Sequence, residues 1–210
     1  MSSERTPDLN LFLDILRTLE DIDAPYMIVG AFAAIIYGST RTTHDIDMVV
    51  DLSEEHIRAL EASYPPPRFY ADAEQMRDSI RMGIMFNIID SGRGEKADLT
   101  PLTMDARYRR AFQRRIRQMI TLPDGDLMQV WCARPEDVIV GKLMAWNEGR
   151  SYKHESDIFD VLVWHYLRGD SEQTIDLDEG FLTAQALSLG ADVAEFWDAV
   201  RTAARREVGR

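Results

Sequence analysis

The sequence predicts an α+β protein in two parts. A sheet-bearing core spans residues 1–133, and a C-terminal helical region over 134–210 packs on it. Three observations carry this. Short apolar runs of strand length, bounded by turn residues, recur up to Cys132. Helix-period segments alternate with them. Beyond Pro135 only helix-period patterns remain. With 210 residues, 45% of them hydrophobic, the chain can bury a core as one domain or two small ones.

Pro7 to Ile22 reads as an amphipathic helix. Thr6 is its N-cap and Pro7 suits the first helical position. Leu9, Leu11, Phe12, Ile15, Leu16 and Leu19 supply its buried stripe. The stretch that organises the chain follows, YMIVGAFAAIIYGSTRTTHDIDMVVD, from Tyr26 to Asp51. Tyr26 to Val29 is an apolar strand ending at Gly30. Ala31 to Tyr37 is a small-residue helix, Gly38-Ser39 a turn, and Thr40 to His44 a polar loop. Asp45-Ile46-Asp47 then heads a second strand, Met48 to Val50. Alternate side chains of a strand share a face, so Asp45 and Asp47 point one way and Ile46 points into the core. Two carboxylates side by side repel each other. A divalent cation between them removes that repulsion, and Mg²⁺ suits such a site because it takes one or two carboxylates plus water and substrate phosphates.

Ser53 caps a helix from Glu54 to about Ser63. Pro65-Pro66-Pro67 stops it and forces an extended segment. Ala71 to Met82 is helical. Ile84 to Asp90 and Glu95 to Leu102 form a hairpin across the Ser91–Gly94 turn. The returning strand sets Lys96, Asp98 and Thr100 on one face, with Ala97 and Leu99 on the other. A basic run follows, holding Arg107, Arg109, Arg110, Arg114, Arg115 and Arg117. It is helical in its first half and strand-like in its second. These arginines read either as a solvated face beside acidic neighbours or as contacts to phosphates. Pro123 to Asp126 turns the chain and Leu127 to Cys132 returns as a strand. Pro135 starts a helix to about Trp146, with Glu136 and Asp137 complementing its dipole. Asn147 to His154 is a polar loop, and Glu155 to Leu167 a helix. Arg168-Gly169-Asp170 closes that helix. Leu177–Leu187 and Ala191–Arg206 form a last helical pair.

The Gly-Ser turn ahead of an Asp-x-Asp strand resembles the signature of the nucleotidyltransferase superfamily, the polymerase-β-like fold. The Arg41-x-Thr43-x-Asp45-Ile46-Asp47 spelling is similar to the AbiEii-type toxin branch and related bacterial proteins. Where that family often has two glycines, this chain has Gly30-Ala31, and alanine still allows close strand-to-helix packing. The resemblance implies a mixed sheet carrying three carboxylates, two Mg²⁺ ions (Mn²⁺ being the alternative) and a nucleoside triphosphate. It makes Asp45, Asp47 and Asp98 the catalytic and metal-binding acids, Asp98 being the third acid on a later strand. In that setting Gly38 lets the backbone approach phosphates, while nearby N–H groups and the Ser39 hydroxyl donate to them. The segment PEDVIVGKLMAW resembles the family helix whose lysine, here Lys142, points at the nucleotide phosphates. Arg41 would join it in stabilising departing pyrophosphate. Asp157-Ile158-Phe159-Asp160 is similar to a family motif with two acids on one helical face, and assigns Asp157 to the nucleotide. The family usually has an arginine before the first acid and this chain has Ser156, so pairing of these acids with Lys142 or an arginine is the other reading.

The formal net charge of −12 argues against broad, non-specific nucleic-acid binding. No apolar run is long enough to cross a membrane, and the first ten residues lack a signal pattern. The single cysteine, Cys132, fits a reducing cytoplasm. His44, His56, His154 and His165 lack zinc-ligand spacing, and no phosphate-loop or nucleophile-elbow motif occurs. The expectation is therefore a cytoplasmic, Mg²⁺-dependent enzyme moving a nucleotide from an NTP to tRNA or protein, with an antitoxin as partner. The alternatives are a non-catalytic nucleotide-binding regulator or antitoxin of the same fold, and an antibiotic-type enzyme with a small-molecule acceptor.

Overall fold

The computed structural model describes residues 10–41, 43, 46–122, 125–168 and 177–209. The chain forms two compact units. One holds residues 1–29 and 43–132, the other residues 30–42 and 133–210.

The first unit is built on a seven-stranded mixed sheet. Its strands are β1 (Tyr26–Val29), β2 (Asp47–Val50), β3 (Phe69–Tyr70), β4 (Phe86–Asp90), β5 (Glu95–Pro101), β6 (Ile116–Thr121) and β7 (Leu127–Cys132). Across the sheet they run β3-β4-β5-β2-β1-β7-β6. β2 pairs with β5 and β1 with β7 in parallel, while the other neighbours are antiparallel. Tyr26, Met27, Ile28, Met48 and Val49 at the centre are fully buried, as the unbroken apolar spelling of central strands requires. Helix α1 (Asn10–Asp21) packs beside β5 and buries Leu11, Phe12, Ile15, Leu16 and Leu19. The expected start of this helix at Thr6 and Pro7 lies outside the described residues.

The connections carry their own caps. Helix α2 (Gly30–Ile36) starts directly after β1, and Gly30 has φ 69°, a conformation that glycine adopts without steric cost. On α3 (Glu54–Ser63) the Ser53 hydroxyl accepts from His56 N–H, and His56 Nδ1 accepts from Ser53 N–H. His56 thus fills the place that glutamate takes in the usual capping box. Helix α4 (Ala73–Met82) begins two residues later than expected, because Asp72 caps it by accepting from Gln75 N–H at 2.6 Å. It ends on Gly83 at φ 66°, and Ile84 N–H still bonds back to Ser79. That cap holds Ile84 out of the sheet, so β4 starts at Phe86 rather than Ile84. The two-residue β3 pairs with β4 inside what the sequence offers only as an extended segment. Helix α5 is Ala106–Gln113.

The second unit contains α2, α6 (Pro135–Gly149), α7 (Tyr152–Arg168), α8 (Glu179–Leu189) and α9 (Ala191–Glu207). The expected loop over Asn147–His154 is only Arg150 and Ser151. Arg150 adopts φ 49° and its N–H bonds Trp146 O at 2.7 Å. The Arg150 guanidinium lies over Trp146, whose ring stacks on Phe196 of α9 at 3.7 Å. That tertiary stack holds the last turn of α6 against its polar composition. No helix among the described residues is long and apolar enough to cross a membrane.

Candidate active site

The first unit brings two of the three predicted acids together. Met48 on β2 lies opposite Leu99 on the parallel strand β5. One residue earlier on each strand stand Asp47 and Asp98. Strand alternation sets both on the face opposite that of Met48 and Leu99. On β5 the expected alternation holds, with Ala97 and Leu99 fully buried and Asp98 28% exposed. Asp47 is exposed. Asp45, like His44, lies outside the described residues. Tyr108 of α5 belongs to the same surroundings. Burial pushes its phenol pKa up, and the charges of Asp105 and Asp47 push it further.

Asp98 is held from the other side. Asn87 on β4 is its register partner, and Asn87 Nδ2 donates to Asp98 Oδ1. Lys96 Nζ is 2.8 Å from the same oxygen. Among the described residues nothing donates to Oδ2. Sequence reading missed Asn87, although a signal existed. Counting back from the hairpin's closing pair Asp90 and Glu95 places residue 87 opposite residue 98.

Among the described residues no three His, Cys, Asp or Glu side chains gather as a metal site. The donor chemistry of Asp47 and Asp98 nevertheless fits Mg²⁺. Both offer hard carboxylate oxygens, one side chain is exposed, and one oxygen of the other is unengaged among the described residues. An ion that keeps waters and substrate phosphates needs only one or two such carboxylates.

The second unit gathers Ser39, Arg41, Lys142 and Asp157. Asp157 is 1% exposed and lies 2.5 Å from Lys142 Nζ, itself only 8% exposed. Arg41 donates through Nε and Nη2 at 3.2 and 3.3 Å, and the Ser39 hydroxyl donates at 3.0 Å. Burial alone would raise the Asp157 pKa, but Lys142, Arg41 and Ser39 hold it below its ordinary value. One turn along α7, Asp160 accepts from the Thr40 N–H and hydroxyl at 2.9 and 3.0 Å. Both acids therefore use one face of α7 to hold residues 39–41. His154 lies in the same charge field. Its pKa is pushed down by burial and then by Lys142 and Lys153, and its Nδ1 is buried without a hydrogen-bond partner among the described residues.

This geometry changes the part that the turn can play. The Ser39 hydroxyl is committed to Asp157, and the N–H groups of Gly38, Ser39 and Thr40 bond to Ile35, Ala34 and Asp160. The donors expected to meet phosphates are thus engaged inside the unit. Gly38 has φ 92°, and a Cβ there would stand 2.5 Å from Trp164 Cβ. Its lack of a side chain makes room for Trp164, which also meets Tyr37 edge-on. Lys142 is buried against Asp157 and does not snorkel. Arg41, 34% exposed, reaches water.

A family model described as nucleotidyl transferase AbiEii toxin, type IV toxin–antitoxin system, matches residues 14–188. The chain belongs to this family. It is therefore a nucleotidyl transferase, from a family of toxins of toxin–antitoxin systems. No curated protein matches it. Among solved structures it is similar to an antigenic nucleotidyltransferase-like protein from Paracoccidioides brasiliensis, at 16% identity and TM-score 0.53, with 96% of this chain and 94% of that one covered. That likeness shows the fold. JHP933 from Helicobacter pylori follows at 13% identity and TM-score 0.43, covering 99% and 96%. ANT(2″)-Ia in complex with adenylyl-2″-tobramycin follows at 17% and 0.42, covering 97% and 100%.

The basic run of this nucleotidyl transferase is largely spent on internal contacts. Arg107 pairs with Asp105, and Arg117 with Glu20 at 2.5 Å. The Arg115 guanidinium lies over Phe112 at 4.1 Å and Trp131 at 4.7 Å. These contacts fit the solvated-face reading better than a row of phosphate ligands.

Proposed function

We propose that the protein transfers a nucleotide from an NTP to a hydroxyl of tRNA or of a protein. The observation that carries this reading is the adjacency of Asp47 and Asp98, on one face of neighbouring parallel strands, in a chain of a nucleotidyl transferase family. Asp45, Asp47 and Asp98 would hold Mg²⁺, with Mn²⁺ the alternative ion. When bound, the metal supplies neutralisation of the triphosphate and alignment of the attacking and leaving oxygens.

The chain's own residues supply the rest. Asp98 would orient the acceptor hydroxyl and take its proton on its carboxylate, which Asn87 holds at Oδ1. The acceptor oxygen bonds to the α-phosphorus, the bond from that phosphorus to the bridging oxygen breaks, and pyrophosphate leaves. In the second unit Arg41 is the cation that reaches water and can meet an anionic group, while the charge of Lys142 is balanced by Asp157. Asp157 positions both cations, and Gly38 and Ser39 shape the turn that carries Arg41. The family's type IV toxin–antitoxin description supports a cognate antitoxin as biological counterpart. One buried cysteine supports a reducing, cytoplasmic setting.

The test is incubation of the full chain with α-³²P-labelled NTPs, Mg²⁺ and either total RNA or cell lysate. Label in tRNA or in protein is expected and names the acceptor, and Asp47→Asn should abolish it. Bound NTP with no transfer to either acceptor would overturn the proposal in favour of a non-catalytic nucleotide-binding protein.

A further inference from the structure

We infer that Asn87 and Lys96 act in opposite directions on divalent-metal binding at Asp98: Asn87 holds the carboxylate for the ion, and Lys96 is the cation that the ion must displace. This rests on the proposed metal-binding role of Asp47 and Asp98. Its basis is the shared contact at one oxygen. Asn87 Nδ2 and Lys96 Nζ both meet Oδ1 of Asp98, leaving Oδ2 with no donor among the described residues. The sheet explains how they meet. Asn87 faces Asp98 across the β4–β5 ladder, and Lys96 precedes it by two residues on the same face of β5.

The two partners differ in what a metal does to them. Asn87 is neutral, so a divalent ion at Asp98 leaves its hydrogen bond intact. The contact fixes the carboxylate plane and favours presentation of Oδ2. Such supporting hydrogen bonds are typically worth about 10- to 100-fold in metal affinity. Lys96 carries a positive charge and is 51% exposed on a flexible stem. Beside Asp98 it supplies the counter-charge that two neighbouring carboxylates need in the absence of metal. An arriving ion is repelled by it and must send it back to water. An exposed pair of this kind is weak, so its release should cost only about two- to fivefold in affinity.

Opposite signs make the inference testable without an activity assay. Free Mn²⁺ is titrated into the full chain and followed by electron paramagnetic resonance, with Asn87→Ala, Lys96→Met, Asp47→Asn and Asp98→Asn beside the unsubstituted protein. Lys96→Met should bind Mn²⁺ about two- to fivefold more tightly, and Asn87→Ala about tenfold more weakly or worse. Unchanged or weaker binding by Lys96→Met overturns the inference. That arm stands even if Asn87→Ala fails to fold, because Lys96 is largely exposed. If the two aspartate variants lose Mn²⁺ while the Asn87 and Lys96 variants match the unsubstituted chain, only this inference fails. If the aspartate variants bind Mn²⁺ normally, the metal site itself is wrong and the inference falls with it.

Discussion

Replacing Asp157 by asparagine gives a demanding test of how the second unit is held together. The substitution keeps the volume and leaves the Ser39 hydroxyl an oxygen to donate to. It removes the negative charge that faces Lys142 at 2.5 Å, where the two side chains are 8% and 1% exposed. A buried ammonium then lacks its counter-charge, and breaking such a pair from one side costs about 3–5 kcal/mol. Arg41 is 34% exposed and can turn to water, so its share is under about 1 kcal/mol. For a chain of this length each kcal/mol lowers Tm by about 2–4 °C. A fall of about 10 °C is the central expectation. Thermal unfolding followed by circular dichroism reads it, in a cycle with Lys142→Met and the double variant. The double variant should lose less than the two single variants together, by at least about 1 kcal/mol. Asp157→Asn melting within about 2 °C of the unsubstituted chain, or strictly additive losses, would refute the reasoning.

Gly38→Ala should destabilise by about 2 kcal/mol or more, from positive φ and overlap with Trp164 together, read as a lowered urea midpoint at constant slope. Asp47→Asn and Asp98→Asn should each slow nucleotide transfer by at least about 100-fold, with Tm nearly unchanged because both side chains reach solvent. Acid should unfold the protein in a defined direction. For Asp157 and Glu179 burial raises the pKa, but cationic partners hold both folded values below the ordinary 3.8 and 4.5. The unfolded chain then binds more protons, so stability is complete above those values and is lost as pH falls through the lower folded ones. Urea midpoints measured from pH 6 down to pH 3 should be level at first and then fall below about pH 4.5.

Local pattern was enough for the strand, glycine and helix from Tyr26 to Ile36, because alternation and a positive-φ residue are properties of neighbours. It was also enough for the β4–β5 hairpin and for the two faces of β5. It did not reach contacts made between distant segments. The length of α6 depends on Trp146 stacking on Phe196, a partner 50 positions away that no local window contains. β3 exists only because β4 offers it an edge. The engagement of Ser39 and Arg41 by Asp157 spans more than a hundred residues. The sequence names both participants of that contact but not their pairing. Asn87 is intermediate, for its position opposite Asp98 follows from the hairpin register, yet an asparagine in a strand signals nothing until the carboxylate across from it has a role.

The most direct test of the account is a crystal structure with Mn²⁺ and a non-hydrolysable NTP, read by anomalous scattering at the manganese edge. An anomalous peak is expected within about 2.0–2.3 Å of carboxylate oxygens of Asp47 and Asp98, with triphosphate oxygens completing its coordination. Manganese and nucleotide bound away from those two aspartates, or a peak that leaves Asp98 unligated, would contradict it.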